Sequence, residues 1–259
     1  MLKAIFKRFY RYRHILWTMS VTNLKLKYAG SVLGIWWAVV GPLILAGSIS
    51  FIFTVVFKVG KANFTLFALS GIIPWMFFTC ALLESTNSFI VNSSILRQSI
   101  FPREFIPIAT TIGNFLNFLM GFIFLLPIFI IFKFEIITLL PVLILVILIH
   151  FLFVLGLGLL FSCINVFFRD LYYFLAVGMM VWFWVTPIFY SLEDAPFPYR
   201  WICLLNPMTH YVALYQKILF KSTCPSLVEL CIAFIISILF LLVGYLFISK
   251  NKSGLLKRI

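Results

Sequence analysis

The chain has 259 residues, of which 64% are hydrophobic and 10% charged, with a formal net charge of +13. A soluble domain carries about 25% charged and 45–50% apolar residues, so a solvated globular fold is excluded, and apolar runs of about 18 residues or more read as membrane spans. The charge does not point to nucleic acid, which wants basic residues clustered on a soluble surface; here lysines and arginines sit between apolar runs and at both ends, where they set membrane topology.

Residues 1–30 carry Lys3, Lys7, Arg8, Arg11, Arg13, Lys25 and Lys27 and no acidic residue. Trp17, Val21, Leu24 and Tyr28 fall at i, i+4, i+7 and i+11, one stripe of a helix, with Thr18, Thr22 and Lys25 on the other side. This predicts an amphipathic helix lying in the membrane interface. The first apolar stretch is too long for a signal-peptide core, so insertion is expected to start from an uncleaved first span.

One membrane domain, 31–259, follows, with an all-α fold and six expected spans. These are Val32–Phe57, Phe64–Leu83 with a continuation to Val91, Phe105–Phe132, Ile136–Phe168, Leu171–Tyr190 and Leu227–Ser249. Several exceed the roughly 20 residues a span requires, which predicts tilt or cytoplasmic extension. With both termini inside, the seven N-terminal basic residues, Arg97, Arg103, Arg169, Lys250, Lys252, Lys257 and Arg258 are cytoplasmic. Lys58, Lys61, Lys133, Arg200, Lys217 and Lys221 stay outside. That excess of inner positive charge predicts a multi-pass protein with N and C termini inside.

The stretch 92–104 is then cytoplasmic. It carries Arg97, Phe101, Pro102, Arg103 and Glu104, an aromatic residue flanked by charges of the kind that anchors protein interfaces; Pro102 discourages helix continuation. The stretch 191–226 is external and holds Pro196, Pro198 and Pro207. Asn206-Pro207 reads as an N-cap followed by proline at the first helical position. Met208, Tyr211, Val212, Tyr215, Ile218 and Leu219 then recur at helical spacing. That helix is too short to span and is expected to be interfacial or re-entrant.

No GxxxxGK[ST] loop is present, so the chain is not expected to hydrolyse ATP by itself, and HExxH, GxSxG and GxGxxG are also missing. Cys80, Cys163, Cys203, Cys224 and Cys231 show no CxxC and no zinc spacing. A Cys203–Cys224 bridge is conceivable but not expected, and no metal or cofactor is assigned to this chain. His14, His150 and His210 are far apart in sequence. An ionisable residue inside an apolar run, as His150 is, is a functional candidate by default, but a neutral, hydrogen-bonded structural histidine is preferred. Glu84 either lines a polar cavity or is solvated beyond the bilayer, and both readings stand. Ala109, Gly113, Asn117 and Gly121, and likewise Gly158, Ser162, Asn165 and Arg169, form stripes spaced for helix packing.

Several segments together resemble a known family. Lys25-x-Lys27-Tyr28-x-x-Ser31-x-Leu33-Gly34-x-x-Trp37 followed by Pro42, then Gly71-Ile72-Ile73-Pro74-Trp75 and Ile100-Phe101-Pro102-Arg103-Glu104, stand in order along the chain. Asn165-Val166-Phe167-Phe168-Arg169-Asp170-Leu171, Thr186-Pro187-Ile188-Phe189-Tyr190 and Asn206-Pro207-Met208 follow. Over about residues 20–220 the pattern resembles ABC-2 type permeases that export polysaccharides, best the O-antigen exporters, with teichoic-acid and capsule exporters as relatives. The resemblance implies a homodimer with two separate ATPase subunits that hold ATP and Mg. It implies a bacterial inner membrane, an undecaprenyl-pyrophosphate-linked glycan as cargo, short gate helices at the outer channel mouth, and the 92–104 loop as the ATPase-coupling segment.

On that reading Lys25, Lys27, Tyr28, Leu33 and Gly34 admit the lipid pyrophosphate. The basic helix sits at headgroup depth, where Lys25 and Lys27 attract a pyrophosphate or only anchor the helix to anionic lipid. Sugar rings stack their C–H faces on aromatic rings, which nominates Trp36, Trp37, Trp75, Trp182, Trp184 and Tyr190 as channel aromatics, with interfacial belts and packing as the competing roles. Two other functions are weighed: an ABC-2 permease for another lipid or a drug, and an integral-membrane glycosyl- or acyltransferase. The latter wants a carboxylate pair or a His/Asp site, and Glu193-Asp194 is the sole adjacent acidic pair.

Overall fold

The computed structural model describes residues 2–56, 58, 63–94, 102–192, 195–251 and 254–255, with side chains from Tyr10 onward. Arg97, Phe101, Glu193 and Asp194 therefore lie outside the described residues. Among those described, every regular element is helical.

Helix α1 (Leu2–Tyr28) leads into a turn in which Gly30 has φ +77° and Gly34 φ +50°. Left-handed backbone of this kind suits glycine, which has no Cβ to clash. One 3-10 turn (Gly34–Trp36) then feeds α2 (Trp37–Phe51), which widens into a π-helical stretch at Ile52–Val56. The further helices among the described residues are α3 (Phe64–Val91), α4 (Phe105–Phe132), α5 (Ile136–Phe167), α6 (Leu171–Val185), α7 (Tyr199–Leu205), α8 (Pro207–Leu219) and α9 (Leu227–Lys250).

Among the described residues, five stretches are long and apolar enough to cross a membrane: Gly34–Val56, Phe64–Val91, Phe105–Phe132, Ile136–Phe167 and Leu227–Lys250. The expected fifth span is shorter than its apolar run. Helix α6 has 15 residues, about 22 Å at the α-helical rise. It stops because Thr186 turns extended (ψ 132°), as a residue before proline tends to do.

Helices α3 and α5 form the middle of the bundle. α3 packs against α2, α4, α5, α6 and α8, and α5 packs against α3, α4, α6, α8 and α9. Helices α5 and α9 come into backbone contact: a Cβ on Gly244 would strike the Gly156 carbonyl, and one on Gly156 would strike the backbone of Phe240 and Leu241. Small residues permit such close crossings in membrane bundles. The predicted stripe on α4 serves the same end, since a Cβ on Gly121 would lie 2.5 Å from the Ala38 carbonyl oxygen of α2, and one on Gly113 would lie 2.9 Å from the Ser20 carbonyl oxygen of α1.

Only part of the predicted apolar stripe of α1 faces protein. Leu24 and Ser20 are buried against α4, with Tyr12, Leu16 and Met19 packed beside them, whereas Trp17 is exposed. The protein-facing stripe is thus offset from Trp17 and Val21, because the turn of α1 at Ser20, Asn23 and Leu24 is the one that lies over Gly113, its backbone and the Asn23 Cβ making the approach.

The short helix α8 is enclosed by protein. Met208, Tyr211, Val212, Tyr215 and Ile218 are fully buried among α3, α5 and α9. Its start is as expected: Asn206 caps it, its side chain accepting from Met208 N–H at 3.0 Å, with Pro207 in the first turn. Its end is tied to α9 by Lys217, which pairs with Glu229 of the Ser226–Glu229 capping box.

Candidate functional site

Where α1 ends, its last turn lies over the C-terminal half of α3 and the N-terminal half of α4. The Lys27 ammonium donates to Glu84 Oε1 of α3 (2.9 Å) and to Asn114 Oδ1 of α4 (2.8 Å). Asn114 Nδ2 donates to Glu84 Oε2 (2.6 Å) and to the Thr110 carbonyl one turn back (3.1 Å). The three side chains form a closed triangle. Beside it, the Tyr28 hydroxyl donates to Asn117 Oδ1. Burial pulls the Lys27 pKa down, but the facing Glu84 carboxylate leads the groups that outweigh it, so lysine is held above its ordinary value. Burial pushes the Tyr28 phenol up, so it remains an O–H donor. The Lys27 and Glu84 side chains keep 27% and 46% exposure, so the pair contributes at most about 1 kcal/mol.

Two clefts meet at Lys27. The first, about 420 Å³, runs between α1, α2, α3 and α4. Its polar end is Lys27, Tyr28, Ser31, Asn114 and Asn117; its length is apolar, walled by Trp37, Met76, Phe77, Phe118, Phe122 and Leu125. Glu84 does not line it, so among the described residues no carboxylate stands at its polar end, and the third Lys27 N–H and the Asn117 amide hydrogens are not spent on protein there. The second cleft, about 310 Å³, lies on the other side of Lys27 toward the end of α3. Asn23, Glu84, Asn87, Ser88, Asn92, Thr110 and Tyr172 line it together with Leu26, Leu83 and Val91, so it carries more polar side chains than the first cleft although apolar atoms still form most of its wall. Glu84 therefore lines a cavity, one of its two expected fates.

Of the residues expected to admit a lipid pyrophosphate, the fold brings Lys27 and Tyr28 to the first cleft, while Lys25 and Leu33 are exposed away from it. Gly34 starts the 3-10 turn. The six channel aromatics do not form one row. Trp37 lines the first cleft, and Trp36 is exposed with its ring beside Phe124. Trp75 is 5% exposed and packs on Phe78, Trp182 and Phe183, and the Trp182 indole N–H donates to Asn206 Oδ1 at 2.7 Å. Trp184 and Tyr190 line a separate apolar pocket of about 500 Å³ with Tyr199 and Ile202. The Tyr190 hydroxyl is spent on the Val185 carbonyl (3.1 Å).

In the 92–104 segment, Pro102, Arg103 and Glu104 form the turn that opens α4. Glu104 is 4% exposed, turned into the protein. His150 is fully buried between the rings of Phe77, Tyr211 and Tyr215; its Nδ1 is 3.5 Å from the Tyr215 hydroxyl, and its Nε2 has no partner among the described residues. The five cysteines are free, and no group of three metal-ligating side chains occurs among the described residues. Sequence reasoning missed Asn23, Asn114 and Tyr172. Asn114 could have been found, lying one turn from the Asn117 of the small-residue stripe.

The family model described as ABC-2 type transporter matches residues 14–220. An O-antigen export system permease protein RfbA of Klebsiella pneumoniae is 32% identical over 239 residues, 90% of this chain and 90% of that protein. A second from the same organism is 33% identical over 211 residues, 78% of this chain and 80% of that protein. One from Myxococcus xanthus is 29% identical over 232 residues, 85% of each.

Proposed function

The chain belongs to the ABC-2 type transporter family, and from that premise we propose that it is the permease subunit of an ATP-driven exporter that moves undecaprenyl-pyrophosphate-linked polysaccharide of the O-antigen type across a bacterial inner membrane. Two copies form the channel, and two separate ATPase subunits supply the ATP and Mg chemistry. Each protomer spans six times, α6 with its extended continuation being the fifth crossing, and both termini are inside. The curated relatives with O-antigen export in their names support the cargo class.

The observation that carries this reading is the first cleft. A polyprenyl pyrophosphate is an anion on a long apolar chain, and neither half suits the other's solvent. A cleft with Lys27, Tyr28 and Asn117 at one end and phenylalanines along its length offers each half its own surroundings. In the proposed orientation Lys27 lies at the cytoplasmic face, at inner-leaflet headgroup depth, where an anionic headgroup and a lysine attract. The chain then runs up the apolar part of the cleft. Lys25 adds a second, outer charge for recruitment, and the 191–226 segment with α7 and α8 acts as the external gate.

The 92–104 segment is the proposed grip for the ATPase, with Phe101 as its anchor between Arg97 and Arg103, a type of contact that supplies most interface energy. Glu104 serves to fix the turn rather than to touch the partner, given its burial.

Deleting the permease should leave lipid-linked glycan accumulating inside the cell, and supplying this chain should return glycan to the surface. Surface glycan at parental level in the deletion strain would overturn the cargo assignment. Purified alone, the chain should hydrolyse no ATP; turnover by the isolated permease would overturn the division of labour.

A further inference from the structure

The second cleft is not needed to hold a lipid pyrophosphate, yet it begins at the same lysine. Its side chains are of another kind. Asn23 lies on α1, Asn87 and Asn92 near the end of α3, Tyr172 at the start of α6, and Glu84 faces in from α3. The Asn23 and Asn87 amides and the Tyr172 hydroxyl have no hydrogen-bonding partner among the described residues. Asn92 uses one amide hydrogen on the Ser88 carbonyl at 2.9 Å and keeps its side-chain oxygen. Both Glu84 oxygens are engaged by Lys27 and Asn114, but each retains accepting capacity on its second lone pair.

We infer that this cleft is a subsite for the sugar directly attached to the lipid pyrophosphate, so that the permease reads the lipid–glycan junction rather than the lipid alone. The inference rests on the proposed function and extends it. A sugar presents hydroxyls that donate and accept and, where N-acetylated, an amide that does both. Amides that both donate and accept, a carboxylate that accepts and a phenol match that demand. The layout has the right order: an apolar channel, then the Lys27 ammonium, then a cleft of about 310 Å³ that gathers amides, a carboxylate and a phenol around leucine and valine side chains, as chain, phosphate and sugar, with its hydroxyls and apolar C–H faces, follow one another in the ligand. Lys27 can serve both neighbours, because two of its three N–H groups are spent on Glu84 and Asn114 and the third remains for a phosphate oxygen. Glu84 holds the ammonium between the clefts and offers its remaining lone pairs to sugar hydroxyls.

The test uses the full chain in lipid nanodiscs and two probes, undecaprenyl pyrophosphate and the same lipid carrying one N-acetylglucosamine. The parent should bind the glycosylated lipid about tenfold more tightly, the worth of one or two net hydrogen bonds. Asn87→Leu should remove most of that preference and leave the bare lipid's affinity within about twofold, the amide being used only by the sugar. Tyr172→Phe, which deletes one hydroxyl and should not disturb the fold, should lower glycosylated-lipid affinity by about threefold and spare the bare lipid. Lys27→Ala should weaken both lipids alike. Equal affinity of the parent for the two lipids, or equal losses for both in Asn87→Leu and Tyr172→Phe, would overturn the sugar subsite and leave the exporter reading intact. Failure of the parent to bind either lipid would overturn both.

Discussion

The junction at Lys27 and the core around α8 use the same side-chain types to opposite ends. Around α8 most polar side chains are spent on protein: the Tyr211 O–H reaches Ser237 Oγ at 2.6 Å, the Ser237 hydroxyl reaches the Ile149 carbonyl at 2.8 Å, and Asn206 joins Trp182, Thr186 and Met208, while His150 Nε2 and Thr209 Oγ1 are buried without a partner among the described residues. All of this is packed against phenylalanine and leucine. At the junction Lys27, Glu84 and Asn114 are also bonded to one another, but they border two clefts and sit among amides with capacity to spare. The contrast teaches that polarity inside a membrane helix does not mark a site. Unused hydrogen-bonding capacity facing open volume does. Buried networks with every member satisfied fix packing.

The largest effect that would sharpen this contrast is in the dry half. Gly244→Leu drives a side chain into the Gly156 backbone and should cost about 3 kcal/mol or more, as overpacking without room to relax does. Loss of monodisperse protein on size-exclusion chromatography checks it. Next, Trp75→Ala empties a buried site and should cost about 3–5 kcal/mol, with glycan export falling only in step with protein level. Trp184→Ala, at an exposed ring, should cost less than about 1 kcal/mol. If Trp184 belongs to a glycan path, its loss should reduce export at normal protein level. Tyr211→Phe should cost about 1 kcal/mol in thermal unfolding and leave export per folded molecule unchanged, because Ser237 keeps its carbonyl acceptors.

The smallest expected effect is on pH. Lys27 has a folded pKa above its ordinary 10.5, so what it adds to α1 docking is full below 10.5 and is lost only as pH rises through the higher folded value. Fluorescence of a reporter on α1 should therefore stay flat between about pH 6 and pH 9. A transition in that window that disappears in Lys27→Met would contradict the assignment.

Much of the scaffold was legible from hydropathy. The expected third span, Phe105–Phe132, is the helix observed, and the Asn206-Pro207 cap starts α8 as expected. The continuation of α3 past Glu84 to Val91 is as expected, with Ser85, Thr86 and Ser88 buried against neighbouring helices. The misjudged end is that of α6, which Pro187 stops early. The site was legible only in pieces. Lys27, Tyr28 and Glu84 stood out as a charge pattern and a polar run. Asn87 belongs to the polar run Glu84-Ser85-Thr86-Asn87-Ser88, but Asn23, Asn92 and Tyr172 come from two other helices and the turn that ends α3, and no spacing rule joins them to it. Only tertiary packing, through the Gly113 approach of α1 to α4, brings them around one volume. The aromatic residues could not be sorted from sequence, since burial in a crowded core and lining of a channel leave the same sequence signal.

If, as proposed, the Lys27 junction loads cargo and the α8 core only holds the fold, glycan export per folded permease separates Lys27→Ala from Tyr211→Phe in the deletion strain. Lys27→Ala should reach the membrane at parental level, because an exposed ion pair contributes only about 0–1 kcal/mol, and yet export at least about tenfold less, the loss expected when a charge-assisted phosphate contact is removed. Tyr211→Phe should export normally per molecule. Parental export by Lys27→Ala, or a per-molecule export defect confined to Tyr211→Phe, would contradict the proposal.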